Sequence, residues 1–188
     1  HMNKIYLTLI ILVTGVIMNA QSVADSTYYY YNNKKVYLPI DKSRINVITS
    51  NSASLNKLSI LNLGFEDFVF ENVGTFSQPR KLAKIEPLTP LTSVQFNQKI
   101  SSLKEIPEVL NVGLYFQIGA DTEPVGTSNI FYVKLKNASD IGVLEQFVAQ
   151  KGVYIERQIP NMPNWYVISV NNVALGTALD MANIFYES

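Results

Sequence analysis

An α+β fold is predicted by three features of this 188-residue chain. Short runs alternate apolar and polar residues with a period of two, the mark of strands with one buried face. Between them lie stretches with apolar residues three and four apart, the spacing of amphipathic helices. The order of these stretches occurs twice. It predicts two tandem ferredoxin-like (βαββαβ) units behind an N-terminal β-hairpin, with the second unit lacking its last strand.

The elements follow in chain order. His1 reads as a cloning remnant and Met2 as the natural start. Asn3-Lys4, an apolar run from Ile5 to Met18 and the small residue Ala20 describe a secretory signal peptide over 1–20. The run is shorter than the roughly 20 apolar residues of a membrane span. Residues 21–43 form a hairpin segment: Tyr28 to Tyr31, a turn at Asn32-Asn33, and a return strand from Lys35 to Ile40. Aromatic residues suit an edge strand, so sugar stacking by these tyrosines is the weaker reading. Lys34-Lys35 reads as a solvated tip.

The first unit spans 44–120. Ile45, Val47 and Thr49 alternate in its first strand, and Leu55, Leu58 and Leu61 form the face of its first helix. Phe68-Val69 begins its second strand. Phe96, Ile100 and Leu103 line its second helix, and Val112, Leu114, Phe116 and Ile118 alternate in its last strand. The linker, 120–128, carries Asp121, Pro124 and Gly126.

The second unit spans 129–188. Phe131, Val133 and Leu135 alternate with Tyr132, Lys134 and Lys136. Ser139 or Asp140 can cap the helix that follows, with Ile141, Leu144, Phe147 and Val148 on one face and Gly152 as its C-terminal breaker. Val153 to Ile159 is a strand, and Pro160-Asn161-Met162-Pro163-Asn164 is a loop because neither proline can donate to a ladder. Trp165 to Val170 is the third strand. Ala174 to Tyr186 is the last helix, with Ala174, Ala178, Met181, Ala182 and Phe185 on its apolar face. Tyr154, Glu156 and Gln158 are expected on the open face of the sheet, and Val153, Ile155 and Arg157 inside. Both sheets are expected to carry helices on one face and leave the other open.

Composition narrows the chemistry. There is no cysteine, and the one histidine is His1. A disulfide framework, a thiol nucleophile, a histidine base and metal sites built on Cys or His are therefore not expected. No glycine spacing fits a phosphate loop. Glu66-Asp67 is the one adjacent acidic pair, and on a strand its members would point to opposite faces. The formal net charge is zero and the basic residues are scattered, which argues against nucleic-acid binding. The expectation is a non-catalytic protein with no cofactor and no metal.

The segment Asn129-Ile130-Phe131-Tyr132-Val133-Lys134-Leu135-Lys136, the helix to Gly152, Pro163-Asn164-Trp165-Tyr166, and Ala178 to Glu187 resemble the propeptide of secreted bacterial subtilisin-like serine proteases. The resemblance covers roughly the last third of the chain. It implies a pro-region, an intramolecular chaperone and temporary inhibitor that packs its open sheet face on a cognate subtilisin-like catalytic domain. A further strand with a Glu-Pro pair and then the catalytic domain would follow Ser188. It implies export, to the medium, the periplasm or the cell surface, with no membrane contact after signal cleavage. Glu156 would then cap helix N-termini of the protease, with Tyr132, Tyr154 and Met162 as packing contacts. The alternatives are a free-standing secreted protease inhibitor and a non-catalytic extracellular protein-binding module.

Overall fold

The computed structural model describes residues 26–50, 56–73, 80–120 and 122–188. The signal-peptide reading and Leu55 lie outside the described residues. Among the described residues the fold is α+β, with antiparallel sheets and four α-helices.

Strands β1 (Ser26–Tyr31) and β2 (Lys34–Ser50) form the expected hairpin. Asn32 and Asn33 make its turn with φ of 49° and 59°. A two-residue turn of this kind needs positive φ at both positions, and asparagine tolerates it best among residues with a side chain. β2 is longer than expected. The return strand of the hairpin runs without a break past position 43 into the strand expected to carry Ile45, Val47 and Thr49, its register with the sheet shifting between Asp41 and Ile45.

Helix α1 (Lys57–Leu61) is a little over one turn, capped by the Asn56 side chain, which accepts from Leu58 N at 3.0 Å. Its buried residue is Ile60, whereas Leu58 is 61% exposed, contrary to the expected Leu55-Leu58-Leu61 face. So short a helix is oriented by its neighbours rather than by its own periodicity. Strand β3 (Glu71–Val73) begins after Phe68-Val69. Phe68 reaches the core from irregular chain and meets Phe70 edge-on at 5.4 Å. The pair Glu66-Asp67 also lies outside any strand, and Asp67 pairs with Lys57, which lowers its pKa.

Strand β4 (Arg80–Ile85), helix α2 (Ser93–Lys104) and strand β5 (Val109–Phe116) follow, with a short β6 (Val125–Gly126) beside β5. The Thr92 hydroxyl and the Gln95 side chain cap α2 reciprocally. The strand order is β3-β4-β2-β5-β6, and β1 pairs with β2 alone. Ile45, Val47, Ala83, Ile85, Val112, Leu114 and Phe116 pack on Ile60, Phe96, Ile100 and Leu103. Burial of each large side chain contributes about 1.5–3 kcal/mol. Ile118, expected to continue the pattern, lies past the end of β5 and is exposed.

The other face of this sheet is not open. Asn46, Ile48, Arg80 and Asn111 are buried there. The chain just after β6 crosses it: Asn46 Nδ2 donates to the Thr127 carbonyl at 3.0 Å. Gly113 permits the crossing, since a Cβ at this position would overlap the Thr127 carbonyl oxygen. The expectation of two open faces overlooked that the linker itself carries hydrogen-bonding groups able to cover one.

Strand β7 (Ile130–Lys134), a 3-10 turn at Ala138–Asp140, helix α3 (Ile141–Lys151), strands β8 (Tyr154–Gln158) and β9 (Trp165–Ser169), and helix α4 (Ala178–Glu187) form the second layer. Its sheet has the order β7-β9-β8. The Asp140 carboxylate does not cap α3; it accepts from the Asn137 backbone N–H at 3.2 Å and closes the 3-10 turn. Gly152 ends α3 with φ of 65°, as expected. α4 starts later than expected, because Thr177 and Asp180 cap it reciprocally. Ala174 is buried in the core from the loop before it. Phe185 meets Phe131 and Phe147 edge-on at 5.1 and 4.7 Å.

The two layers are joined at several points. Asn172 Nδ2 donates to the carbonyls of Lys104 at 3.1 Å and Val109 at 2.7 Å. Asn183 Nδ2 donates to the Tyr28 carbonyl at 2.7 Å, and Tyr186 stacks on Tyr30 at 4.4 Å. Leu179 packs against the core of the first sheet. Among the described residues, no helix is long and apolar enough to cross a membrane.

Candidate functional site

The sheet β7-β9-β8 carries α3 and α4 on one side; Phe131, Ile155, Tyr166 and Ile168 point toward them. Directly opposed residues of antiparallel strands share a face. The pairs Ile130–Ser169, Tyr132–Val167 and Lys134–Trp165 therefore lie on the side away from the helices. Tyr132 is 58% exposed there, and Tyr154, opposite Ser169, is 52% exposed. Val167 and Ser169 in the central strand are buried beneath this surface.

The register of β8 departs from simple alternation. Ile155 opposes Ile168, but the next pair is Arg157 with Val167, leaving Glu156 in a bulge. A bulge inserts one residue and reverses the alternation beyond it. Arg157 thus shares the face of Tyr132 and Tyr154, and Gln158 falls opposite Tyr166 on the helix side. Both placements reverse the expected ones.

Glu156 is drawn out of the surface. Its carboxylate pairs with Arg80 Nη2 of β4, and both side chains are 8% exposed. Arg80 Nη1 also donates to Asn129 Oδ1 at 3.1 Å, and Asn129 Nδ2 donates to the Val170 carbonyl at 2.9 Å. Neighbouring orientation and an opposite charge from the other layer explain why this carboxylate tolerates burial.

Met162 stands at the tip of the β8–β9 loop, 44% exposed. The loop is held from within: Met162 N donates to the Ile159 carbonyl and Trp165 N to the Met162 carbonyl, each at 3.2 Å. Asn161 and Asn164 flank Met162 with φ of 61° and 68°, the left-handed region that asparagine enters most readily among residues with a Cβ. Trp165 is half-buried, and Lys134 Nζ lies 5.8 Å from its ring.

The structure therefore gathers Tyr132 and Tyr154 on one face, with Met162 at the tip of the adjoining loop, and removes Glu156 from them. Sequence reasoning missed the outward turn of Arg157. It also missed the part played by Lys35, Glu187 and the hairpin tyrosines. Glu187 bonds the hydroxyls of Tyr28 and Tyr30 and lies 3.6 Å from Lys35, whose ammonium sits 4.0 Å from the centre of the Tyr28 ring. The Tyr30 bond, more than any other contact, lowers the pKa of Glu187; the same bond raises that of Tyr30. The Tyr28 hydroxyl is foremost in raising that of Lys35. Among the described residues, no three His, Cys, Asp or Glu side chains stand together as a metal site. No family model, curated protein or solved structure matches this chain.

Proposed function

We propose that the chain is the pro-region of a secreted subtilisin-like protease, an intramolecular chaperone and temporary inhibitor that packs the non-helix face of its β7-β9-β8 sheet on the catalytic domain. The observation that carries this reading is the pair Tyr132 and Tyr154, more than half exposed on one sheet face. Tyrosines in that setting provide contact area at low entropic cost and are common at protein interfaces. Met162, presented by a loop locked at Asn161 and Asn164, adds an adaptable apolar contact.

The architecture proposed with it is two ferredoxin-like units. In the first, β2, α1, β3, β4, α2 and β5 follow the βαββαβ order with β4 inserted between β2 and β3. In the second, β9 lies likewise between β7 and β8. The sequence resemblance over Asn129–Lys136 and Ala178–Glu187 supports the assignment. The proposed contact set is Tyr132, Tyr154 and Met162; Glu156 is left out, since Arg80 holds its carboxylate.

A surface that binds the native protease and not the unfolded chain shifts the folding equilibrium by mass action. At a hundred times the dissociation constant the shift is about 2.7 kcal/mol. The test is refolding of the subtilisin-like catalytic domains encoded in the same genome, from denaturant, with and without this chain. An increased yield of active enzyme with at least one of them, abolished by Tyr132→Ala with Tyr154→Ala, is the expected result. No change in yield and no inhibition with any of them would overturn the reading.

A further inference from the structure

We infer that the non-helix face of the β7-β9-β8 sheet is cationic and docks an acidic protein surface, such as a patch of carboxylates with exposed helix C-termini. This deepens the preceding reading and rests on that face being a protein-binding surface. The charged residues of the three strands are Lys134, Glu156 and Arg157. Lys134 and Arg157 oppose Trp165 and Val167, so both lie on the non-helix face, and both are exposed. The single carboxylate, Glu156, is buried and neutralised by Arg80. Among the described residues, neither Lys134 nor Arg157 makes an ion pair.

The bulge is the device that sets this sign. Simple alternation would place Glu156 outward and Arg157 inward, giving a face with one charge of each kind. The bulge brings Arg157 to the face of Tyr132 and Tyr154, and with Glu156 paired to Arg80 it leaves two cations among two exposed tyrosines. Such a face attracts carboxylates and the negative ends of helices, and repels helix N-termini. Tyr132 and Tyr154 supply the apolar contact between the charges. Lys134 holds its ammonium 5.8 Å from the centre of the Trp165 ring, its cross-strand neighbour on this face.

The experiment uses the full chain labelled with 15N and two helical peptides of equal length, one with a stripe of glutamates and one with a stripe of lysines. The glutamate peptide is expected to shift the amides of Tyr132, Lys134, Tyr154 and Arg157. The variant Lys134→Gln with Arg157→Gln is expected to weaken binding about five- to tenfold while its thermal unfolding stays unchanged, both side chains being exposed. No shifts on this face, equal shifts from the lysine peptide, or binding undiminished in the variant would each overturn the inference. The subtilase assay fails separately. Glutamate-peptide binding without any effect on protease refolding rejects the pro-region alone. Stimulated refolding that survives Lys134→Gln with Arg157→Gln rejects the acidic partner alone.

Discussion

Arg80 and Glu156 meet across the boundary between the two sheets, one from the start of β4 and one from the bulge in β8, with both side chains 8% exposed. This pair ties the layers together and takes the one carboxylate of β8 out of solvent. Removing one partner of a buried ion pair costs about 3–5 kcal/mol, because the other is left charged and dry. Arg80→Ala and Glu156→Ala are each expected to lower stability by about 3 kcal/mol, and the double variant by much less than their sum. Urea unfolding of the four proteins measures the coupling. Additive losses would show that the pair is not coupled.

Gly113 should admit no side chain. Its ideal Cβ would overlap the Thr127 carbonyl oxygen, which is already bound to Asn46. Gly113→Ala is expected to lower stability by about 1–3 kcal/mol, the range for overpacking. A shifted urea midpoint with unchanged slope would mark the loss as local strain.

The loop that presents Met162 depends on left-handed backbone at Asn161 and Asn164. Asn161→Val is expected to cost about 1–2 kcal/mol, since a branched side chain is poorly accommodated there. Asn161→Gly should be close to neutral. If both variants unfold at the same temperature, the left-handed geometry carries no cost.

The contact between the hairpin and α4 should respond to pH on both sides. Glu187 has a lowered pKa, chiefly through Tyr30, so its contribution is present above the ordinary glutamate value and fades as pH falls through its folded value. Tyr30, chiefly through Glu187, and Lys35, chiefly through Tyr28, have raised pKa values. Their contribution is complete below their ordinary values and fades as pH rises through the folded ones. Protection of the Tyr28 and Tyr30 amides, measured relative to their intrinsic exchange rates at each pH, should therefore fall in acid and in strong alkali. Glu187→Gln should flatten the acid limb; an unaltered acid limb would rule out this carboxylate as its source.

Much of the fold was legible because it depends on local pattern. The alternation at Val112, Leu114 and Phe116, the helical face at Phe96, Ile100 and Leu103, and the turn at Asn32-Asn33 each declare themselves within a few residues. What failed to show was decided from a distance. Nothing near Glu156 announces a bulge; Arg80, far back in the chain, draws that carboxylate inward. Leu58 turned outward because a single helical turn follows the core around Ile60 and Phe65. Exposed Tyr132 and Tyr154 were readable from strand parity alone, since both precede the register shift.

The grip of the first strand on the last helix bears on how the chain matures during synthesis. Tyr28 and Tyr30 are synthesised well before Asn183, Tyr186 and Glu187, the residues that receive them. Until translation passes α4, the hairpin holds its aromatic side chains out with nothing to close on. A polypeptide stalled before Ala178 would expose that sticky ribbon to proteases and chaperones, so docking of the arm reports that the whole described length has been made.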